Sequence, residues 1–131
     1  MPSRVTGKVL VVDDDESVVF VLTEVLRDAG FEVVSASNAE QASRALLGIS
    51  AAIVDLHLAG ECGTGLVRQI ATSNPELPVL VLTADARPHA AHKASAAGAS
   101  LVLRKPLDIG TLTSSLTAAV RHRAKPGGEH V

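Results

Sequence analysis

A chain of 131 residues with 47% apolar content is sized for one domain around one sizeable core. Its formal charge of -2 offers no electrostatic footprint for nucleic acid or an anionic membrane, and an aromatic content limited to Phe20 and Phe31 leaves no stacking platform for single strands. One cysteine, Cys62, excludes an internal disulfide and a cysteine-rich zinc module, and no run approaches the roughly 18 apolar residues needed to span a bilayer.

Residues 1–7 read as a lead without the apolar centre of a secretory signal, so a cytoplasmic protein without membrane contact is expected. The apolar run 9–12 is too short for a helix and predicts a strand covered on both faces. After Asp13-Asp14-Asp15, the residues Val18, Val21, Leu22, Val25, Leu26 and Ala29 make the apolar stripe of a first helix, and Gly30 supplies its left-handed stop. Residues 32–35 mix apolar and polar side chains, as an edge strand does. Asn38 is placed to cap a second helix with Gln41 three residues on, its inner face carrying Ala42, Ala45, Leu46 and Ile49.

The run 51–54 predicts a third strand, and a helix over 65–72 buries Leu66, Val67 and Ile70 before Asn74-Pro75 ends it. A fourth strand over 79–82 precedes an alanine-rich helix over 89–97 closed by Gly98. A fifth strand over 101–103, again expected to be covered on both faces, leads to a helix capped by Asp108 and carrying Leu112, Leu116 and Val120. Residues 123–131 have the composition of a flexible tail. Strict alternation of five strands and five helices predicts an α/β doubly wound parallel sheet, with right-handed crossovers placing helices on both faces.

The polar residues that interrupt this pattern stand at strand ends. Asp13, Asp14 and Asp15 follow the first strand, Asp55 ends the third, Thr83 ends the fourth and Lys105 follows the fifth. In a parallel sheet these positions share the carboxyl edge, where open α/β folds bind ligands. Singly each has an ordinary explanation: Asp14 or Asp15 as a helix cap, Thr83 as a strand terminus, Lys105 as a solvated lysine. Together, three or more carboxylates at one edge repel one another and call for a divalent cation or a fixed ammonium. Oxygen donors without His or Cys side chains point to magnesium rather than zinc or copper.

Four motifs in this order and spacing carry a family resemblance: Val-Val-Asp-Asp-Asp-Glu-Ser at 11–17, Val-Asp-Leu-His-Leu at 54–58, Leu-Thr-Ala at 82–84 and Lys-Pro at 105–106. Over residues 8–122 the chain resembles the response-regulator receiver domain of two-component phosphorelay signalling. The resemblance implies a flavodoxin-like five-stranded sheet of order 2-1-3-4-5 with five helices. It implies that Asp55 accepts a phosphoryl group, that Asp14, the Asp55 carboxylate and the His57 backbone carbonyl coordinate Mg2+, and that Asp13 acts partly through metal-bound water. Thr83 would donate its hydroxyl to a phosphoryl oxygen, and Lys105 would pair with the carboxylates and then with the phosphoryl group.

The donor implied is a phosphohistidine on a sensor histidine kinase or a histidine phosphotransfer protein, or a small acyl phosphate. The implied role is regulatory rather than enzymatic: a phosphoacceptor that assists its own magnesium-dependent phosphorylation and dephosphorylation. It would switch the binding of a downstream effector protein or domain through the fourth helix, fifth strand and fifth helix, without direct contact to nucleic acid. The residues after 122 are too few for an output domain, so a stand-alone regulator or an excised receiver is expected.

The chain departs from the family pattern at several places. Val102 stands where receivers usually have Tyr or Phe, Leu101 where an acidic residue is common, and Ala59 with Cys62-Gly63 where a proline and an Asp-Gly pair are usual, read here as loop variation. His57 and Asp85 flank the place where hydrolytic water would enter, with solvent exposure as their plain role, and His89 with His92 lacks a third ligand. An aspartyl phosphatase or phosphotransferase is the enzymatic alternative, but Asp13-Asp14-Asp15-Glu16-Ser17 lacks the threonine of its Asp-x-Asp-x-Thr pattern. A phosphorylation-independent interaction module is the other, and Val102 leans toward it while Asp14, Asp55, Thr83 and Lys105 lean away.

Overall fold

The computed structural model describes residues 7–58 and 60–124. Five strands, β1 (Lys8–Val12), β2 (Glu32–Ala36), β3 (Ala51–Asp55), β4 (Val79–Thr83) and β5 (Leu101–Arg104), alternate with five helices, α1 (Glu16–Asp28), α2 (Ala39–Arg44), α3 (Gly63–Ser73), α4 (Pro88–Ala97) and α5 (Ile109–Ala124). The strands are all parallel and lie in the order β2-β1-β3-β4-β5, the flavodoxin-like order. A separate two-residue antiparallel ladder pairs His57–Leu58 with Glu61–Cys62 just beyond β3.

Strand alternation sorts the core into two layers. Leu10, Val12, Ala52, Val54, Val79 and Val81 face α2, α3 and α4, meeting Ala42, Leu66, Val67, Ile70 and Ala94. Val9, Val11, Ala51, Ile53, Leu80 and Leu82 face α1 and α5, meeting Leu22, Leu26, Leu112, Leu116 and Val120. Each of these fully buried leucines contributes about 1.5–3 kcal/mol of apolar burial. The caps follow the residue types. Asp15 Oδ1 accepts from the Ser17 amide at 2.9 Å, Asn38 Oδ1 from the Gln41 amide at 2.8 Å, and Asp108 Oδ1 from the Gly110 amide at 3.0 Å.

Four local expectations are corrected. The second helix ends at Arg44 rather than running through Ile49, because the chain turns at Gly48 (φ 78°) to bring the Ser50 amide onto the Lys8 carbonyl at 2.7 Å. The third helix begins at Gly63, two residues earlier than position 65. Val21 is 47% exposed, since Leu22 and Leu26 centre the buried face of α1 and Val21 lies about 100° around the helix from Leu22. As the last strand in the order, β5 is only partly covered: Leu101 and Arg104 are exposed, while Val102 and Leu103 are half-buried, one against each core layer.

Val102 pairs in register with Val81 and packs on the layer beneath α4. At the chain's end, α5 reaches Ala124; the rest of the expected tail, and residues 1–6 of the expected lead, lie outside the described residues. Among the described residues no helix is long and apolar enough to cross a membrane.

Candidate functional site

All five strand C-termini point to one edge of the sheet, and the chemistry collects there. Asp13 follows β1, Asp55 and Thr83 are the last residues of β3 and β4, and Lys105 follows β5. These strands are neighbours in the sheet, so residues up to 92 positions apart in sequence become one cluster. Asp13, Asp55 and Thr83 are the buried polar side chains among the described residues, at 3%, 4% and 1% exposure, inside an otherwise aliphatic core. Burying charge in such surroundings is unfavourable unless it is paired, and the pairing is visible.

Lys105 Nζ lies 3.2 Å from Asp55 Oδ2 and 3.6 Å from Asp13 Oδ2. The Lys105 amide donates to the Thr83 carbonyl at 2.9 Å, which extends the β4–β5 pairing by one residue and fixes where the ammonium starts from. Asp55 Oδ1 accepts from the His57 amide at 3.0 Å, and Asp13 Oδ1 from the Asp15 amide at 2.9 Å. Each buried carboxylate is thus oriented by a backbone N–H two residues on. Asp15, in turn, caps α1, so of the three consecutive aspartates only Asp13 and Asp14 belong to the cluster.

Asp14 is exposed, and one carboxylate oxygen each of Asp13, Asp14 and Asp55 fall within 4.8 Å of one another. Asp13 Oδ2 is buried and accepts no hydrogen bond. Burial, followed by the charge of Asp55, raises the Asp13 pKa, against the opposing pull of the Asp15 amide and Lys105. For Lys105, burial works against the ammonium, but the hydrogen bond to Asp55 and the two carboxylate charges outweigh it and raise the pKa. One ammonium faces three carboxylates. The remaining negative charge, the buried oxygen without a hydrogen bond and the all-oxygen donor set fit a hard divalent cation. No other grouping of three metal-ligating side chains occurs among the described residues, and His89 and His92 stand exposed on α4.

Thr83 Oγ1 accepts from the Asp85 amide at 3.0 Å and lies 3.4 Å from His57 Nε2. Asp85 is gripped by Arg87, whose Nε and Nη2 sit 2.9 and 2.7 Å from its two oxygens. That fork, with the Arg87 amide, holds the Asp85 carboxyl well below the usual range. A groove of about 480 Å³ between α1 and the end of β2 opens from Asp13 and Asp14 past Glu16, Phe20 and Ser37.

Asp13, Asp14, Asp55 and Lys105 are therefore brought together, with Thr83 at the neighbouring strand end. Two features are additional. The His57 ring, exposed as the plain reading expects, also lies 3.4 Å from Thr83 Oγ1. Gly63 is buried at the start of α3, where an added Cβ would stand 2.5 Å from the Asp55 carbonyl oxygen. The signal for the second was the glycine itself, in a loop that already held Gly60 and Gly65.

The family model described as "Response regulator receiver domain" matches residues 9–117. A "Cyclic di-GMP phosphodiesterase" of Thermotoga maritima is 33% identical over 88% of this chain, and the "DNA-binding transcriptional regulator NtrC" of Escherichia coli K12 is 34% identical over 88%. The chain spans 31% and 25% of those two proteins' lengths, so their printed activities describe much longer chains. Among solved structures, a putative response regulator from Chloroflexus aurantiacus is 32% identical with a TM-score of 0.83, covering 88% of this chain and 98% of that one. A receiver domain protein from Clostridium thermocellum is 26% identical with a TM-score of 0.82, covering 89% and 96%. Matched along nearly its whole described length by sequence and by fold, with an acidic cluster and a lysine at the sheet edge, the chain belongs to the response regulator receiver domain family of two-component signalling.

Proposed function

We propose that this receiver domain takes a phosphoryl group on Asp55 from a phosphohistidine of a sensor histidine kinase or a histidine phosphotransfer protein. The observation that carries the reading is Lys105 Nζ set between the buried carboxylates of Asp55 and Asp13, at 3.2 and 3.6 Å, with Asp14 beside them. Asp55 would form the new O–P bond as the donor's N–P bond breaks, the electron pair leaving on the imidazole nitrogen. The His57 amide on Asp55 Oδ1 holds the nucleophile in one orientation before the donor arrives.

The Asp14 and Asp55 carboxylates and the His57 backbone carbonyl would hold Mg2+, with Asp13 reaching it partly through water. Magnesium, when bound, supplies the positive charge that offsets repulsion between a carboxylate and an anionic phosphoryl donor. Lys105 would move from pairing with Asp13 and Asp55 to pairing with a phosphoryl oxygen, and Thr83 would donate its hydroxyl to another. Output would pass through α4, β5 and α5, where exposed Leu101 and half-buried Val102 replace the usual acidic and aromatic residues. Residues 8–122 are the unit proposed to act, as a regulatory phosphoacceptor in the cytoplasm, with an effector protein or domain as its partner. The absence of direct nucleic-acid contact is proposed for this domain alone.

The test is mass spectrometry after incubation with acetyl phosphate and magnesium. Wild-type protein should gain one phosphoryl mass on the peptide carrying Asp55; Asp55→Asn protein, and wild-type protein in excess chelator, should gain none. Equal incorporation in chelator would remove the metal from the reading, and label on the Asp55→Asn protein would remove the acceptor.

A calorimetric comparison separates the two leading aspartates. Asp14→Ala should weaken magnesium binding by about tenfold or more, the loss of a direct charged ligand. Asp13→Ala should cost less, because Asp13 acts through water and its ionised form is opposed by burial in the metal-free protein. Equal losses would contradict the assignment.

A further inference from the structure

We propose that the His57 imidazole is a latch on Thr83, accepting its hydroxyl proton in the resting state and so opposing the movement of Thr83 toward a phosphoryl group on Asp55. The inference rests on the phosphoacceptor reading of Asp55 and adds a positioning residue to it. It starts from the bonding capacity of one hydroxyl. Thr83 is 1% exposed, and its Oγ1 already accepts from the Asp85 amide at 3.0 Å. A hydroxyl has a single proton to donate. Among the described residues the group within hydrogen-bond reach of that proton is His57 Nε2 at 3.4 Å. A buried hydroxyl proton without an acceptor is unfavourable, and the proposed latch is the tautomer with its lone pair at Nε2 and its proton at Nδ1.

The surroundings make the contact a constraint. His57 lies just past β3 and Thr83 ends the neighbouring β4, so the bond bridges two adjacent strand ends at the sheet edge that also carries Asp55. The oxygen's other anchor is itself secured, since the Asp85 carboxylate is bound by the Arg87 amide at 2.9 Å and by the guanidinium fork. Thr83 Oγ1 is therefore held from both sides in its resting position. Donating to a phosphoryl oxygen requires the same proton that His57 accepts. The two acceptors exclude each other, and the resting one must be given up for the active state to form. With Val102 in place of a ring on β5, the aromatic group that touches Thr83 comes from the β3 side.

Two measurements test this, and one of them needs no phosphorylation. In the metal-free protein the Nε2 nitrogen resonance of His57 should show an unprotonated, hydrogen-bonded nitrogen, and Thr83→Val should shift it. A protonated Nε2, or a resonance that Thr83→Val leaves in place, would overturn the latch. In a beryllofluoride titration with magnesium, followed by amide shifts of α4, His57→Ala should respond at a concentration about two- to tenfold lower than wild type, the population shift expected from losing one neutral hydrogen bond. His57→Gln, which keeps an acceptor oxygen, should return toward the wild-type midpoint. An equal or higher midpoint for His57→Ala would overturn the proposal. The backbone carbonyl at 57 is retained in each variant, so the change reads the ring. Absence of any wild-type response to beryllofluoride would instead sink the phosphoacceptor reading, with the contact itself still decided by the Nε2 resonance.

Discussion

Replacing Lys105 by Met should destabilise the metal-free protein by about 2–3 kcal/mol at pH 7, and either magnesium or mild acid should remove most of that loss. Breaking a buried ion pair from one side costs about 3–5 kcal/mol, because the remaining charge stays buried without its partner. Lys105 is 26% exposed, so water reaches the ammonium and the upper end of that range is discounted. The hydrogen bond to Asp55 and the charges of Asp13 and Asp55 overcome burial and raise the Lys105 pKa. A raised lysine pKa contributes stability that is complete below about 10.4, the unfolded value, and is lost as pH rises through the folded value.

In the Met variant the penalty belongs to the carboxylates instead. Burial already raises the Asp13 pKa, and losing the ammonium raises it further. A raised carboxylate pKa leaves no penalty below the unfolded value of about 3.9, and the penalty grows as pH climbs through the folded value. The gap between wild type and variant should therefore be widest at neutral pH and close toward pH 4. Magnesium should close it at neutral pH by supplying the missing positive charge. Urea unfolding in chelator at pH 7, in chelator at pH 4.5, and with magnesium at pH 7 gives the three numbers. A gap that is the same in all three would mean that Lys105 stabilises by packing its aliphatic stem and not by balancing the aspartates.

The cluster at the sheet edge was legible in the sequence because it sits where the apolar runs break. Four of the five strands hold a run of Val, Leu, Ile and Ala that is ended or followed by a residue that does not suit a core: Asp13, Asp55, Thr83, then Lys105. Period-two burial in two layers explains why the runs are continuously apolar, and parallel pairing explains why their breaks converge. The end of α2 was not legible, because Ala45, Leu46 and Ile49 keep helical spacing while the chain has to turn at Gly48 to start β3. Nor was the exposure of β5, since Leu101-Val102-Leu103 reads like an interior strand and only the strand order makes it an edge. The reach of the His57 ring to Thr83 depends on a rotamer and on the spacing of two neighbouring strands, which composition does not encode.

Gly63 is the sharpest instance of a residue whose role appears only in three dimensions, and it yields a paired prediction. Two glycines open α3. At Gly63 a Cβ would stand 2.5 Å from the Asp55 carbonyl oxygen and 3.0 Å from Leu56 Cα, both backbone atoms without a rotamer to yield. At Gly65, which is exposed, a Cβ would meet nothing within 4 Å. The Gly63 amide also donates to the Leu56 carbonyl at 2.7 Å, tying the start of α3 to the residue after Asp55. Gly63→Ala should thus cost about 2–3 kcal/mol through forced backbone displacement, lowering Tm by about 8–12 °C. Gly65→Ala, on the same helix and chemically identical, should be neutral or add about 0.5–1 kcal/mol through helix propensity and reduced chain entropy. Because the displaced backbone is that of Asp55 and Leu56, the Gly63 variant should also take phosphoryl label from acetyl phosphate more slowly than wild type at a temperature where both are folded. The Gly65 variant should label at the wild-type rate. Equal stabilities for the two alanine variants would show that α3 can slide away from β3 at little cost, and the close approach at Gly63 would then play no part in positioning Asp55.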